Sequence, residues 1–272
     1  MCELIALSSQ SATQLTFSLQ TLAAHSGDTS TTRDGWGVAF YQGRDVALFR
    51  EPMAASDSPL AHFLQAQGPS TTLAISHIRH VTRGALDLSN TQPFLRELAG
   101  RTHVFAHNGN LPGIDGVANM AFDRYRPVGT TDSEHAFCAL LERLHGLWKT
   151  TPTPPTVQER RLVIAAFAAD LCKLGPANFV YADGELLFAH GNRRIQAATG
   201  RIAPPGLFLI SCRCLDPQQA VHADGVTVAP GFQELVMLAS VPLTGDGETW
   251  RPLDEGELVT VSAGRVIDAT GA

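Results

Sequence analysis

The chain has 272 residues, a formal net charge of −6, 44% hydrophobic and 17% charged residues. That length allows one large domain or two small ones, and the composition supports a substantial buried core and excludes a disordered chain. Mild acidity without a basic stripe leaves no electrostatic footprint for nucleic acid.

In chain order, Cys2 follows Met1 directly, and cysteine is small enough for methionine aminopeptidase to remove the residue before it. The start has no basic region and no long apolar run, and Glu3 interrupts it, so neither a signal peptide nor a membrane span is expected and the protein is predicted to be cytoplasmic. Leu4 to Leu7 reads as a buried strand, and Leu15, Leu19 and Leu22 recur at helical spacing. Ser26 to Thr32 is a polar loop. Strands are predicted at Trp36–Tyr41 and Val46–Phe49 about a Gln42-Gly43-Arg44-Asp45 hairpin, then at Thr71–His77 and His103–His107. Thr131 and Glu134 have the spacing of a capping box, and the helix after them places Phe137, Leu140, Leu141 and Leu144 on one face. The Thr151–Pro155 stretch ends it, and a second helix runs from about Val157 to Leu174, stopped by Gly175-Pro176. Strands follow at Phe179–Ala182, Glu185–Ala189, Leu207–Ser211, Glu234–Val241 and Leu258–Val261. Strands, two helices, then strands give an α+β architecture, with the proline-rich stretch read as a loop between helices rather than a domain linker.

The cysteines are Cys2, Cys138, Cys172, Cys212 and Cys214, an odd set without framework spacing, which argues against a disulfide scaffold. No metal site is predicted, because His77 and His80 have no cysteine or carboxylate nearby at a familiar spacing. Once Met1 is gone, Cys2 carries a thiol of reference pKa about 8.5 and an α-amine of about 7.7–8.0 on one residue. One residue can then supply nucleophile and general base. A buried apolar cysteine is the plain alternative.

Each remaining cluster also has two readings. Arg33-Asp34-Gly35-Trp36-Gly37 is a glycine turn opening a strand, or a place where backbone approaches something closely. Arg79, at a strand end, is a surface ion-pair partner or a fork for a substrate carboxylate. Asn108-Gly109 is an ordinary turn, or an oxyanion hole built from one side-chain amide and one adjacent N–H. Asp132 complements a helix dipole or meets a substrate ammonium group.

Taken together, Met1-Cys2-Glu3-Leu4, Asp34-Gly35-Trp36-Gly37, His77-Ile78-Arg79 with Thr82-Arg83-Gly84, Asn90-Thr91-Gln92-Pro93-Phe94, Ala106-His107-Asn108-Gly109, Thr131-Asp132-Ser133-Glu134, and Pro242-Leu243-Thr244-Gly245 with Trp250 resemble the class II glutamine amidotransferases. The stand-alone, YafJ-like type is the most similar, and the likeness runs from residue 1 to about residue 260. One departure stands out: these relatives usually carry histidine where this chain has Gln92.

The resemblance implies a four-layer α-β-β-α sandwich of the N-terminal nucleophile hydrolase type, formed as a single glutaminase-type domain over residues 1–272. It implies Cys2 as nucleophile, its own amine as base, and Asn108 with Gly109 as oxyanion hole. Arg79, assisted by Thr82, would hold the α-carboxylate of glutamine, and Asp132 the α-ammonium. No cofactor is implied. The substrate would be glutamine or a γ-glutamyl compound, with no nucleic-acid or membrane partner. Two enzymatic readings follow, ammonia delivery to a separate synthase subunit and plain hydrolysis of a γ-glutamyl amide. A sensor that binds glutamine or a γ-glutamyl metabolite without efficient turnover is the alternative from another class; it would need the gripping residues but not the nucleophile.

Overall fold

The computed structural model describes residues 2–17, 34–79, 85–148, 153–214, 221–223, 226–228, 231–243 and 250–271. Its strands are β1 (Glu3–Phe17), β2 (Gly35–Gln42), β3 (Asp45–Glu51), β4 (Ser70–Arg79), β5 (Phe94–Leu98), β6 (Arg101–Gly109), β7 (Ala177–Ala182), β8 (Leu187–His190), β9 (Phe208–Cys214), β10 (Gln233–Ala239), β11 (Glu257–Ser262) and β12 (Arg265–Gly271), with shorter pairings between them. The helices are α1 (Pro59–Gln67), α2 (Asp132–Trp148) and α3 (Val157–Cys172). No helix among the described residues is long and apolar enough to cross a membrane.

The strands form two antiparallel sheets. One runs β9-β10-β1-β4-β2-β3, extended at the β9 edge by Arg251–Pro252; the other runs β12-β11-β8-β7-β6-β5. Alternation along the strands then builds the layers. Leu4 and Ala6 of β1 face the other sheet and pack with Val104, Ala106, Val180 and Val259. Ile5 and Leu7 face outward and pack in one cluster with Ala61 and Leu64 of α1. Beyond the second sheet, Phe105 and Phe179 pack with Phe137, Leu140 and Leu144 of α2 and Ile164 and Phe167 of α3. The result is the expected α-β-β-α sandwich. Because β1 is covered on both faces, Leu4 to Leu7 reads as an unbroken apolar run, and each large side chain buried there contributes about 1.5–3 kcal/mol.

Several local expectations change. Leu15 lies in β1, where Leu15 to Phe17 pair with Val226 to Val228, so it does not begin a helix. Thr13, Thr16 and Phe17 favour a pleated strand, and a waiting partner strand outweighs a three-leucine stripe. Leu19, Leu22 and the Ser26–Thr32 loop lie outside the described residues. Thr131 does cap α2, its Oγ1 accepting from the Glu134 N–H at 3.2 Å. The Glu134 carboxylate, however, reaches past the cap to the Val128 and Gly129 N–H groups and to Arg96, at 3.1, 2.7 and 2.5 Å. The reciprocal capping box occurs at α3, between Thr156 and Glu159.

Buried imidazoles make this core sensitive to acid. His103 sits between the Tyr181 hydroxyl at 2.5 Å and the Leu98 carbonyl at 3.2 Å, and burial lowers its pKa to about 4. Burial likewise lowers His190 to about 4 and His77, beside His107 and Arg79, to about 3. A histidine held neutral in the fold binds a proton in the unfolded chain first, so its contribution is complete above about pH 6.5 and is lost as pH falls towards the folded value. Stability should therefore decline between about pH 6.5 and 4 by up to about 1.4 kcal/mol per pH unit for each imidazole. Urea midpoints measured from pH 7.5 to 4.5 check this; a flat profile over that range overturns it.

Candidate active site

A cavity of about 350 Å³ opens at one end of the sandwich, where the ends of β1, β4 and β6 meet the start of α2. Cys2, Arg79, Gly109 and Asp132 all border it, together with Asn90, Gln92 and His107. Cys2 reaches the cavity because β1 starts one residue later and pairs Glu3 with Ile78 of β4. That register puts Arg79, the last residue of β4, beside the first residues of the chain.

Arg79 is almost fully buried, and its Nη1 donates to the Ala85 carbonyl at 3.0 Å. Burial lowers its pKa, opposed by Cys2 and Asp34, but a guanidinium stays charged in a protein. It is thus a largely buried cation at the edge of the cavity. Thr82 lies outside the described residues. Asp132 opens α2 with both oxygens anchored, Oδ2 by the Leu111 N–H at 2.7 Å and Oδ1 by the Ser133 N–H at 2.8 Å.

Asn108 is placed next to Cys2 but is turned. Its Nδ2 donates to the Cys2 carbonyl at 2.7 Å and to the Ser240 hydroxyl at 3.2 Å, which uses both amide hydrogens. Gly109 must be glycine: a Cβ there would lie 1.9 Å from the Pro176 carbonyl oxygen and 2.6 Å from His107 Nε2. His107 itself is buried, with Nδ1 at 2.9 Å from the Ser133 hydroxyl; burial lowers its pKa and Asp132 opposes the shift.

Sequence patterns did not reveal the residues that hold these groups. Asn90 ties the two gripping loops together: its Nδ2 donates to the Ala85 carbonyl at 3.2 Å, and its Oδ1 accepts from the Thr130 N–H at 2.8 Å. Ser240 binds the first strand twice, its Oγ accepting from the Leu4 N–H at 3.1 Å and its N–H donating to the Leu4 carbonyl at 3.0 Å. Arg194 donates to the Ser240 carbonyl and, at 3.2 Å, to the buried Glu3 carboxylate. Asn90 stands in a quoted motif and could have been singled out. Ser240 and Arg194 have no local signal, since their partners lie 46 to 236 residues away along the chain.

Comparison with known proteins identifies the family. The family model "Glutamine amidotransferases class-II" matches residues 1–271. YafJ of Escherichia coli (strain K12), a chain assigned to the glutamine amidotransferases, is 35% identical over 257 residues, covering 94% of this chain and 96% of its own. A crystal structure of a predicted glutamine amidotransferase from Pseudomonas aeruginosa superposes with a TM-score of 0.72 at 33% identity, covering 98% of this chain and all of the other. In fold alone, the chain also matches 49% of the glutamine phosphoribosylpyrophosphate amidotransferase of B. subtilis, with a TM-score of 0.58 at 15% identity. The chain belongs to the class II glutamine amidotransferases.

Proposed function

We propose that the protein hydrolyses the side-chain amide of glutamine, or of a γ-glutamyl compound, through a thioester on Cys2. The observation that carries this reading is that Cys2, Arg79, Gly109 and Asp132, far apart in sequence, border one cavity of a size suited to a small ligand. Arg79 takes the substrate α-carboxylate as a forked ion pair, with Thr82 proposed as its helper, and Asp132 takes the α-ammonium. That orientation points the γ-amide towards Cys2.

The α-amine of Cys2, free after Met1 is removed, accepts the thiol proton. The sulfur then adds to the amide carbon, and the negative charge that builds on the amide oxygen is met by the Gly109 N–H and the Asn108 amide. For Asn108 this means exchanging a present hydrogen bond for one to the oxyanion; the longer contact, to Ser240, is the one to give up. The carbon–nitrogen bond breaks, the α-ammonium returns its proton to the departing nitrogen, and ammonia leaves. Water attacks the thioester, releasing glutamate and the thiol. The freed ammonia is the group that a separate synthase subunit would consume.

Intact mass after incubation with 6-diazo-5-oxo-norleucine tests the reading. The expected species lacks Met1 and carries one adduct, in which Cys2 Sγ is bonded to the probe's methylene and dinitrogen has been expelled. Protein left unmodified, or modified with Met1 still attached, overturns it.

A further inference from the structure

We infer that Gln92 is a positioning residue: its side-chain amide stands in for a missing stretch of strand and fixes the backbone that leads into Asn108 and Gly109. Strand β5 begins at Phe94, which pairs with Phe105, while β6 runs on to Gly109. Two residues further along that register, position 92 falls opposite His107. There the Gln92 side chain makes the pairing: Oε1 accepts from the His107 N–H at 2.7 Å, and Nε2 donates to the His107 carbonyl at 3.0 Å. This is the two-bond exchange of an antiparallel ladder, made by a side chain.

The main chain around Gln92 is held aside so that its side chain can do this. The Gln92 carbonyl oxygen lies over Gly37, where a Cβ would come within 2.3 Å of it. That explains the second glycine of Gly35-Trp36-Gly37. Arg50 Nη1 donates to the Thr91 carbonyl at 2.7 Å, and the Thr91 hydroxyl donates to the Asp87 carbonyl at 3.0 Å. Gln92 is buried and borders the cavity. Only a group offering donor and acceptor side by side can satisfy both main-chain atoms of one residue. A carboxylate lacks the donor, and the two nitrogens of an imidazole diverge. A histidine at this position therefore cannot reproduce this pairing.

The catalytic consequence rests on the amidohydrolase reading, because His107 directly precedes the proposed oxyanion donors. The test is kcat and KM for glutamine in Gln92→Ala and Gln92→Glu, from pH 5.5 to 8.5, with hydrogen exchange of the His107 amide. In Gln92→Ala, kcat should fall at least about tenfold with KM within about twofold, since a displaced oxyanion donor acts on the transition state. In Gln92→Glu, the activity relative to wild type should be lowest at high pH and rise as the pH falls, because the protonated carboxyl regains a donor for the His107 carbonyl. Cys2, Arg50, His77, Arg79, His107, Asp115, Asp132 and His135 are the charged or titratable groups around this position, and all are common to both proteins, so a pH dependence of the ratio comes from the introduced carboxyl, directly or through its effect on them. Exchange at the His107 amide should accelerate in Gln92→Ala, which removes its acceptor, and less in Gln92→Glu, whose carboxylate can still accept from it. Unchanged kcat in Gln92→Ala, a pH-independent ratio for Gln92→Glu, or unchanged exchange in Gln92→Ala overturns the inference. If the wild type neither hydrolyses glutamine nor captures the diazo probe, the amidohydrolase reading fails, and exchange at His107 still decides the positioning role.

Discussion

Replacing Cys2 with alanine should lower glutamine hydrolysis by about 10⁵-fold or more while leaving binding and folding intact. Removing a covalent nucleophile leaves only the oxyanion donors and the positioning of substrate, a residue of catalysis far below the intact set. The fold should survive because Cys2 is only half-buried and its carbonyl, which accepts from Asn108 Nδ2 at 2.7 Å, is retained by alanine. Arg79 and Asp132 are untouched, so calorimetry should show Cys2→Ala binding glutamine about as tightly as wild type. Cys2→Ser is the sharper control. It keeps the amine and nearly the shape, but a hydroxyl is far less acidic than a thiol with reference pKa about 8.5, and an amine of about 7.7–8.0 is a weak base for it. Turnover by Cys2→Ala within tenfold of wild type removes Cys2 from the chemistry. A wild type that binds glutamine without hydrolysing it returns the protein to the sensor alternative.

The sequence made legible those parts that are decided within a few residues. The hairpin of Trp36–Tyr41 and Val46–Phe49 follows from two apolar runs about the Gln42-Gly43-Arg44-Asp45 turn, where Gly43 has a φ of 67° that suits a two-residue turn. The apolar face of α2 follows from the spacing of Phe137, Leu140, Leu141 and Leu144, all buried together. Helix α1 went unread although Ser58 caps it, accepting from the Ala61 N–H at 2.9 Å, and Pro59 stands in its first turn. Its Leu60, Phe63 and Leu64 stand at helical spacing, but the run is only about two and a half turns long. What could not be read are contacts whose partners lie far along the chain. Glu134 has the spacing of a cap residue, yet its carboxylate is drawn to Arg96, thirty-eight residues before it. The same holds in the candidate site. Motif residues at 2, 79, 108, 109 and 132 could be named as candidates from the motifs that carry the family resemblance, but the hydroxyl of Ser240 that holds both Leu4 and Asn108 could not, since nothing near Ser240 distinguishes it from any other strand-end serine.

The loss expected for Asn108→Ala is about 10²–10³ in kcat, the usual cost of one oxyanion donor. KM for glutamine should change little, because the donor is needed only once charge has moved onto the amide oxygen. The hydrogen bonds of Asn108 add a second route to the same loss. Its Nδ2 also holds the Cys2 carbonyl, so alanine both removes the donor and loosens the nucleophile. Two further variants separate these effects. Ser240→Ala leaves the Asn108 carboxamide in place and frees one of its hydrogens, at the cost of the Leu4 N–H bond, so its kcat should fall no more than about tenfold, a loss of about 1.4 kcal/mol in the barrier. Asn108→Asp keeps the shape but places a carboxylate where negative charge must build, and should be worse than alanine. The order Ser240→Ala, Asn108→Ala, Asn108→Asp from mildest to most severe identifies donation to the oxyanion as the main function of Asn108. If Asn108→Asp instead matches Asn108→Ala, no negative charge develops beside this side chain, and its role reduces to anchoring Cys2.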